Sequence, residues 1–168
     1  MKKSINTLEE ALIQEMENLY CSEKKLASGL SKLATIIPSE KLHALLANYV
    51  DSANHKCLKI DRIFSYLNHE PRACSTNVVD EMINETRSRI TFTQDCRFQD
   101  LLVIACLQRI NNYMMCAFRS SLRYADELEL DTPVELLETM IHWEVKMEEA
   151  LSQIANNTFN APLEPSRN

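Results

Sequence analysis

The chain has 168 residues, a single glycine, 45% hydrophobic and 25% charged residues, and a formal charge of −6. That length suits one domain able to bury a core without metal or disulfide staples. The acidic balance, with a pI near 5.3, argues against a general binder of nucleic acid or of acidic membranes. One glycine, against a usual share of roughly 7%, argues against sheets rich in tight turns and for long helices. Met1-Lys2-Lys3 is followed by no apolar run, so no secretion signal and a cytoplasmic location are expected. No apolar stretch is read as approaching the roughly 18 residues of a membrane span. The six cysteines, at 21, 57, 74, 96, 106 and 116, form no Cys-x-x-Cys pair; reduced thiols, acting inside helices as small apolar residues, are expected.

In chain order, residues 1–6 form a lead. Helix one starts at Thr7, where the hydroxyl caps the chain and Glu10 reaches back, and runs to about Ala34. Ile36-Ile37-Pro38-Ser39 ends it. Helix two spans about Glu40 to Asn68, with a stripe through Leu42, Leu45, Leu46, Tyr49, Ala53, Cys57, Ile60, Phe64 and Leu67. His69-Glu70-Pro71-Arg72 breaks the pattern; a shorter amphipathic stretch follows from about Thr76 to Arg89, then a loop from Thr91 to Cys96. Whether residues 69–97 are ordered is left open. Helix three, about Phe98 to Glu127, is apolar on more than one face and reads as the most buried element. Helix four opens with Thr132-Pro133-Val134-Glu135, a capping box with proline at the first position, and ends near Ala155. The tail 156–168, with Pro162 and Pro165, is expected to be disordered. Four long helices with one long central connection give an all-α, ferritin-like four-helix bundle over 7–155, with a short extra helix between helices two and three.

A bundle seam should be apolar at a and d spacing. Gln108 and Asn111 interrupt helix three, and Glu144 and Glu148 interrupt helix four. Helix one carries Glu15, Asn18 and Ser22, and helix two adds Asp51 and Asn54. Charges buried there must be paired, hydrogen-bonded or neutralised. Dinuclear carboxylate sites need four Glu or Asp and two His, with Glu-x-x-His on two helices. Here Asp51-Ser52-Ala53-Asn54 has the spacing but ends in an amide, and His55 lies about 100° round the helix from Asn54.

Asn18-Leu19-Tyr20-Cys21-Ser22-Glu23-Lys24-Lys25-Leu26 resembles the Asp-x-Tyr-x-Ala-Glu-Lys-x-Leu stretch of the YciE/YciF-type bacterial ferritin-like proteins. The likeness extends through Ser39-Glu40-Lys41-Leu42, Ile60-Asp61-Arg62-Ile63 and Ile104 to Tyr113, over about residues 7 to 155. It implies a dimer-forming helical bundle, associated with stress responses, whose typical members look built to hold two metals. Carried over residue by residue, the family's helix-one Asp falls on Asn18 and its helix-two Glu-x-x-His on Asp51 and Asn54. Its helix-three Glu-x-x-Glu falls on Asn111 and Met114, and its helix-four acidic pair on Glu144 and Glu148. Only Asp51, Glu144 and Glu148 keep a carboxylate.

The leading expectation is therefore a non-enzymatic bundle with a degenerate dimetal site and no cofactor, whose centre is a network of Asn18, Asn54, Gln108 and Asn111. It is expected to act as a homodimer or on an unidentified protein partner, with no nucleic acid and no membrane. Self-association rests on apolar residues beyond one seam, such as Leu46, Val50 and Ile63. The alternative is an iron, manganese or zinc protein using Glu144, Glu148 and Asp51, with Glu15 or His55, and a residual redox activity. A small inhibitor or immunity-type protein is a further alternative without a motif behind it.

Overall fold

Thr7 holds extended geometry and its hydroxyl accepts the Glu10 N–H at 3.1 Å, so α1 starts at the capping box and runs Leu8–Ala34. The computed structural model describes residues 5–72 and 75–160. Its remaining helices are α2 (Glu40–Tyr66), α3 (Val78–Thr91), α4 (Cys96–Glu127) and α5 (Asp131–Asn160); no strand occurs among the described residues. Helices one to four of the sequence are α1, α2, α4 and α5, and α3 is the short extra helix.

With so little glycine, α2 and α4 end on other residues. Asn68 and Glu129 take the left-handed conformation, at φ 49° and 54°. His69 N–H then reaches back to Phe64 O, and Leu130 N–H to Ala125 O, each at 3.0 Å, the 6→1 bond of a Schellman ending. Leu130 also accepts the Val134 N–H at 3.0 Å, so one residue closes α4 and opens α5. This moves the start of α5 back to Asp131. Pro133 sits buried inside the first turn, where its missing N–H costs nothing. The far end of α5 also departs from expectation, continuing to Asn160 because Arg97 donates to Thr158 O at 3.1 Å and to Phe159 O at 2.6 Å. The rest of the expected disordered tail, 161–168, lies outside the described residues, as does part of the 69–97 connection.

Short loops make α1–α2 and α4–α5 antiparallel pairs. The pairs join through α1 against α4 and α2 against α5, so α1 and α5 face each other across a diagonal. Between the pairs α3 runs beside α1 in the same direction: Lys25 bridges Asp80 at 2.7 Å, and four residues on, Gly29 faces Ile83. A Cβ at 29 would come within 2.5 Å of Ile83 Cδ1, so the chain's one glycine stands where the Ile83 side chain of α3 packs directly on α1. This crossover returns the chain to the far end before α4 starts, and α4 consequently runs parallel to α2. The architecture is a ferritin-like bundle.

The buried positions repeat at alternate steps of four and three. In α1 this run is Leu12, Met16, Leu19, Glu23, Leu26, Leu30 and Leu33, with Cys21 and Ser22 buried beside it; in α2 it is Leu42, Leu46, Tyr49, Ala53, Lys56, Ile60 and Ile63, with Leu45 and Phe64 beside it. α4 continues the rule through Leu107, Asn111, Met114 and Phe118, and α5 through Leu137, Met140 and Glu144. This is the heptad seam of left-handed bundles. Leu46 and Ile63 are therefore core residues, not the spare apolar surface expected of them. The exposed apolar residues of α2 are instead Leu58 and Tyr66. α4 is, by length and composition, the one helix among the described residues able to cross a membrane, which corrects the reading that no stretch comes near; its apolar seam lies in the bundle core. Cys21 is disulfide-bonded and lies 3.6 Å from Thr76 O, where the crossover passes α1, so the expectation of wholly reduced thiols does not hold. Cys57, Cys96, Cys106 and Cys116 are free.

Candidate functional site

At mid-height the heptads place Glu23 on α1, Lys56 on α2, Asn111 on α4 and Glu144 on α5 in the interior. Each neighbouring seam position is apolar, so the helices bury these four groups by burying the residues above and below them. Lys56 Nζ lies 2.7 Å from Glu23 Oε1 and donates a hydrogen bond to Glu144 Oε1. All three side chains are 1% exposed or less, which takes the pairing out of reach of solvent screening. The Tyr49 and Phe118 rings flank the ammonium, with centroids 5.6 and 5.7 Å from Nζ, each a favourable cation–π distance. Asn111 Nδ2 donates to the Glu144 backbone carbonyl at 3.3 Å, which ties α4 to α5 beside the cluster. Glu23 Oε2, Glu144 Oε2, Asn111 Oδ1 and Ser22 Oγ are buried without a hydrogen bond, and the Tyr49 hydroxyl is buried beside Glu144 without one of good geometry.

The charges do not balance unless one proton is held. Two carboxylates around one ammonium leave −1 in a region of low dielectric. Burial, with Glu144 adding to it, pushes the Glu23 carboxyl up to about 8, although Lys56 pulls the other way. For Lys56, burial opposes the charge, but Glu23 and Glu144 outweigh it and hold its pKa above the ordinary lysine value. Burial and the same two carboxylates drive the Tyr49 phenol well above its usual range. Near neutrality Glu23 is thus held as the carboxylic acid beside the Lys56 ammonium.

Of the residues singled out in the sequence, Glu144 and Asn111 reach this centre. Glu148 is exposed: four residues turn a helix about 400°, so it sits about 40° off Glu144, and Met147 and Leu151 take the inward direction. Asp51, Asn54 and His55 are exposed on α2. His55 Nδ1 contacts its own turn at Asp51 O, 2.9 Å away, and its ring meets Trp143 edge-on at 6.5 Å. Asn18 is half-buried and takes a 3.4 Å bond from Gln14 on its own helix. Gln108 and Glu15 are half-buried, and burial raises the Glu15 carboxyl. The expected four-amide centre is thus corrected to one amide, Asn111, beside an ion cluster. Sequence reading missed Glu23 and Lys56. The signal for both was present, since Glu23 lies four after Leu19 and three before Leu26, and Lys56 three after Ala53 and four before Ile60.

The family model described as a domain of unknown function, DUF892, matches residues 7–164. The chain belongs to this YciE/YciF-type family. Its DUF892 relatives include protein YciF of Escherichia coli, 23% identical over 162 residues, which are 96% of this chain and 98% of YciF. The crystal structure of that E. coli stress protein superposes with a TM-score of 0.89 at 22% identity, covering 94% of this chain and all of YciF. YcfI of Rhodopseudomonas palustris gives 0.81 at 20% identity, covering 97% and 99%. A ferritin-like, diiron-carboxylate protein of Bacillus anthracis gives 0.70 at 14% identity, covering 90% of this chain and all of that one. These structural likenesses bear on the fold. A two-iron centre does not fit the residues at the middle of this DUF892 bundle: the two interior carboxylates converge on an ammonium, and among the described residues no three His, Cys, Asp or Glu side chains come together as metal ligands.

Proposed function

We propose that this chain is a non-enzymatic member of its family, in which an internal ion cluster stands where a dimetal centre is expected, and which acts through self-association or a protein partner. The observation that carries the reading is the Lys56 ammonium held between Glu23 and Glu144. A fixed cation there repels a second cation and occupies both carboxylates, which removes the redox and Lewis-acid chemistry a metal would supply. The alternative, an iron, manganese or zinc site built on Asp51, Glu144 and Glu148, has less support because Asp51 and Glu148 face solvent. Leu58 and Tyr66, apolar and exposed on the outer face of α2, favour an associating surface. A stress-associated role follows the name of the E. coli relative.

The test is metal content by mass spectrometry on chain purified without chelator or affinity-tag metal, together with mass by light scattering. Less than about a tenth of an equivalent of transition metal, in a dimer that Leu58→Glu converts to monomer, is the expected result. Stoichiometric metal that disappears in Glu144→Ala would overturn the metal-free reading; a parent that stays monomeric at micromolar concentration would overturn self-association.

A further inference from the structure

Glu23 and Glu144 come from diagonally opposed helices, yet both aim an oxygen at one point, the Lys56 Nζ. Their other oxygens, Glu23 Oε2 and Glu144 Oε2, are buried and carry no hydrogen bond. Asn111 Oδ1, on the residue that ties α4 to α5 there, is likewise buried and unbonded. Carboxylate and amide oxygens are hard donors, the kind that suit divalent ions with a preference for oxygen. Lysine balances one carboxylate and a held proton the other, whereas a divalent ion would balance both with no proton held. What keeps such an ion out is the Lys56 ammonium, which occupies the point at which both carboxylates aim.

We propose that Glu23 and Glu144 form a divalent-cation site plugged by Lys56, so that this one residue decides between a built-in ammonium and an external metal ion. The proposal rests on the parent chain being metal-free. Truncating Lys56 empties the space for an ion with its waters, and it leaves two buried carboxylates whose repulsion a metal relieves. No other residue has to change.

Mn2+ is the probe, titrated calorimetrically into the full-length parent, Lys56→Ala and Lys56→Gln, with thermal unfolding followed in parallel. The truncated chains are expected to bind one equivalent about a hundredfold more tightly than the parent, and their Tm should rise with Mn2+ as it does for any ligand that binds only the folded state. A Lys56 variant that is unfolded alone and folds on adding Mn2+ supports the same conclusion. Adding Glu23→Gln and Glu144→Gln to Lys56→Ala should abolish the gain. If neither variant gains Mn2+-dependent binding or folding over the parent, the proposal is overturned while the metal-free reading of the parent stands. If the parent itself binds Mn2+ as tightly as the variants, through Glu23 and Glu144, both fail together.

Discussion

Replacing Glu23 by glutamine tests the charge state of the buried cluster directly. Glu23 is fully enclosed, and its carboxyl is pushed from 4.5 to about 8, chiefly by burial. Between those values the folded chain holds a proton that the unfolded chain has released, so stability falls as pH rises through this window and levels off above it. One proton changes stability by at most about 1.4 kcal/mol per pH unit, so this group alone accounts for about 4 kcal/mol between pH 5 and 8. That is a large share of the 5–15 kcal/mol typical of a domain. Glutamine keeps the shape and neutrality of the protonated acid but cannot titrate. Glu23→Gln should therefore cost about 1 kcal/mol or less at pH 5, and become more stable than the parent by pH 8. Other titrating groups are common to both chains, so the difference between the two profiles isolates Glu23. Urea unfolding followed by circular dichroism at half-unit intervals from pH 5 to 9 measures it. Parallel profiles would refute the argument, because they would mean that the cluster carries its full −1 charge throughout or that water reaches it.

Lys56→Met, without added metal, should cost about 3–5 kcal/mol, the usual loss when one partner of a buried ion pair is removed; a loss under 1 kcal/mol in denaturant unfolding would contradict the cluster's geometry. Glu129→Gly should stabilise by roughly 0.5–1 kcal/mol, because the left-handed backbone at φ 54° suits glycine, and a Tm increase of a few degrees would register it. Gly29→Ala should destabilise by about 1 kcal/mol, as crowding against Ile83 Cδ1 exceeds the gain in helix propensity. Adding Ile83→Val, which deletes the crowded atom, should recover most of that loss; strict additivity in the double-mutant cycle would show that the two residues do not meet.

Helix existence was legible because period and caps agree in this chain. Thr7 with Glu10 placed the start of α1 to the residue, and the break at Pro71 separated α2 from the crossover. Capping at the far junction was misread because Thr132-Pro133 imitates a helix start, while the real boundary is set by Leu130 serving two helices at once. The centre was half legible. Glu144 and Asn111 stand out as polar interruptions, but Glu23 and Lys56 look like two charges among many on amphipathic helices. A phase error of one or two residues hid them: Ser22, chosen over Glu23, is buried beside the seam but carries no charge, and Asp51, chosen over Ala53, faces solvent. Strict steps of four and three from Leu12 and Leu42 would have chosen correctly. No local pattern, by contrast, says that residues 23, 56 and 144 meet, because that depends on the height at which the crossover returns the chain.

A dissolved ion reaches its site by diffusion, leaves at some rate, competes with other ions and can be stripped by a chelator. The cation between Glu23 and Glu144 arrives on a four-carbon tether. It is synthesised with the chain, present at one per molecule by construction, and cannot exchange while the fold persists. Its supply does not vary with the metal content of the surroundings or with the redox state of iron. On the metal-free reading proposed above, maturation of the bundle needs no loading step, and addition or starvation of metal should leave the yield of folded protein unchanged.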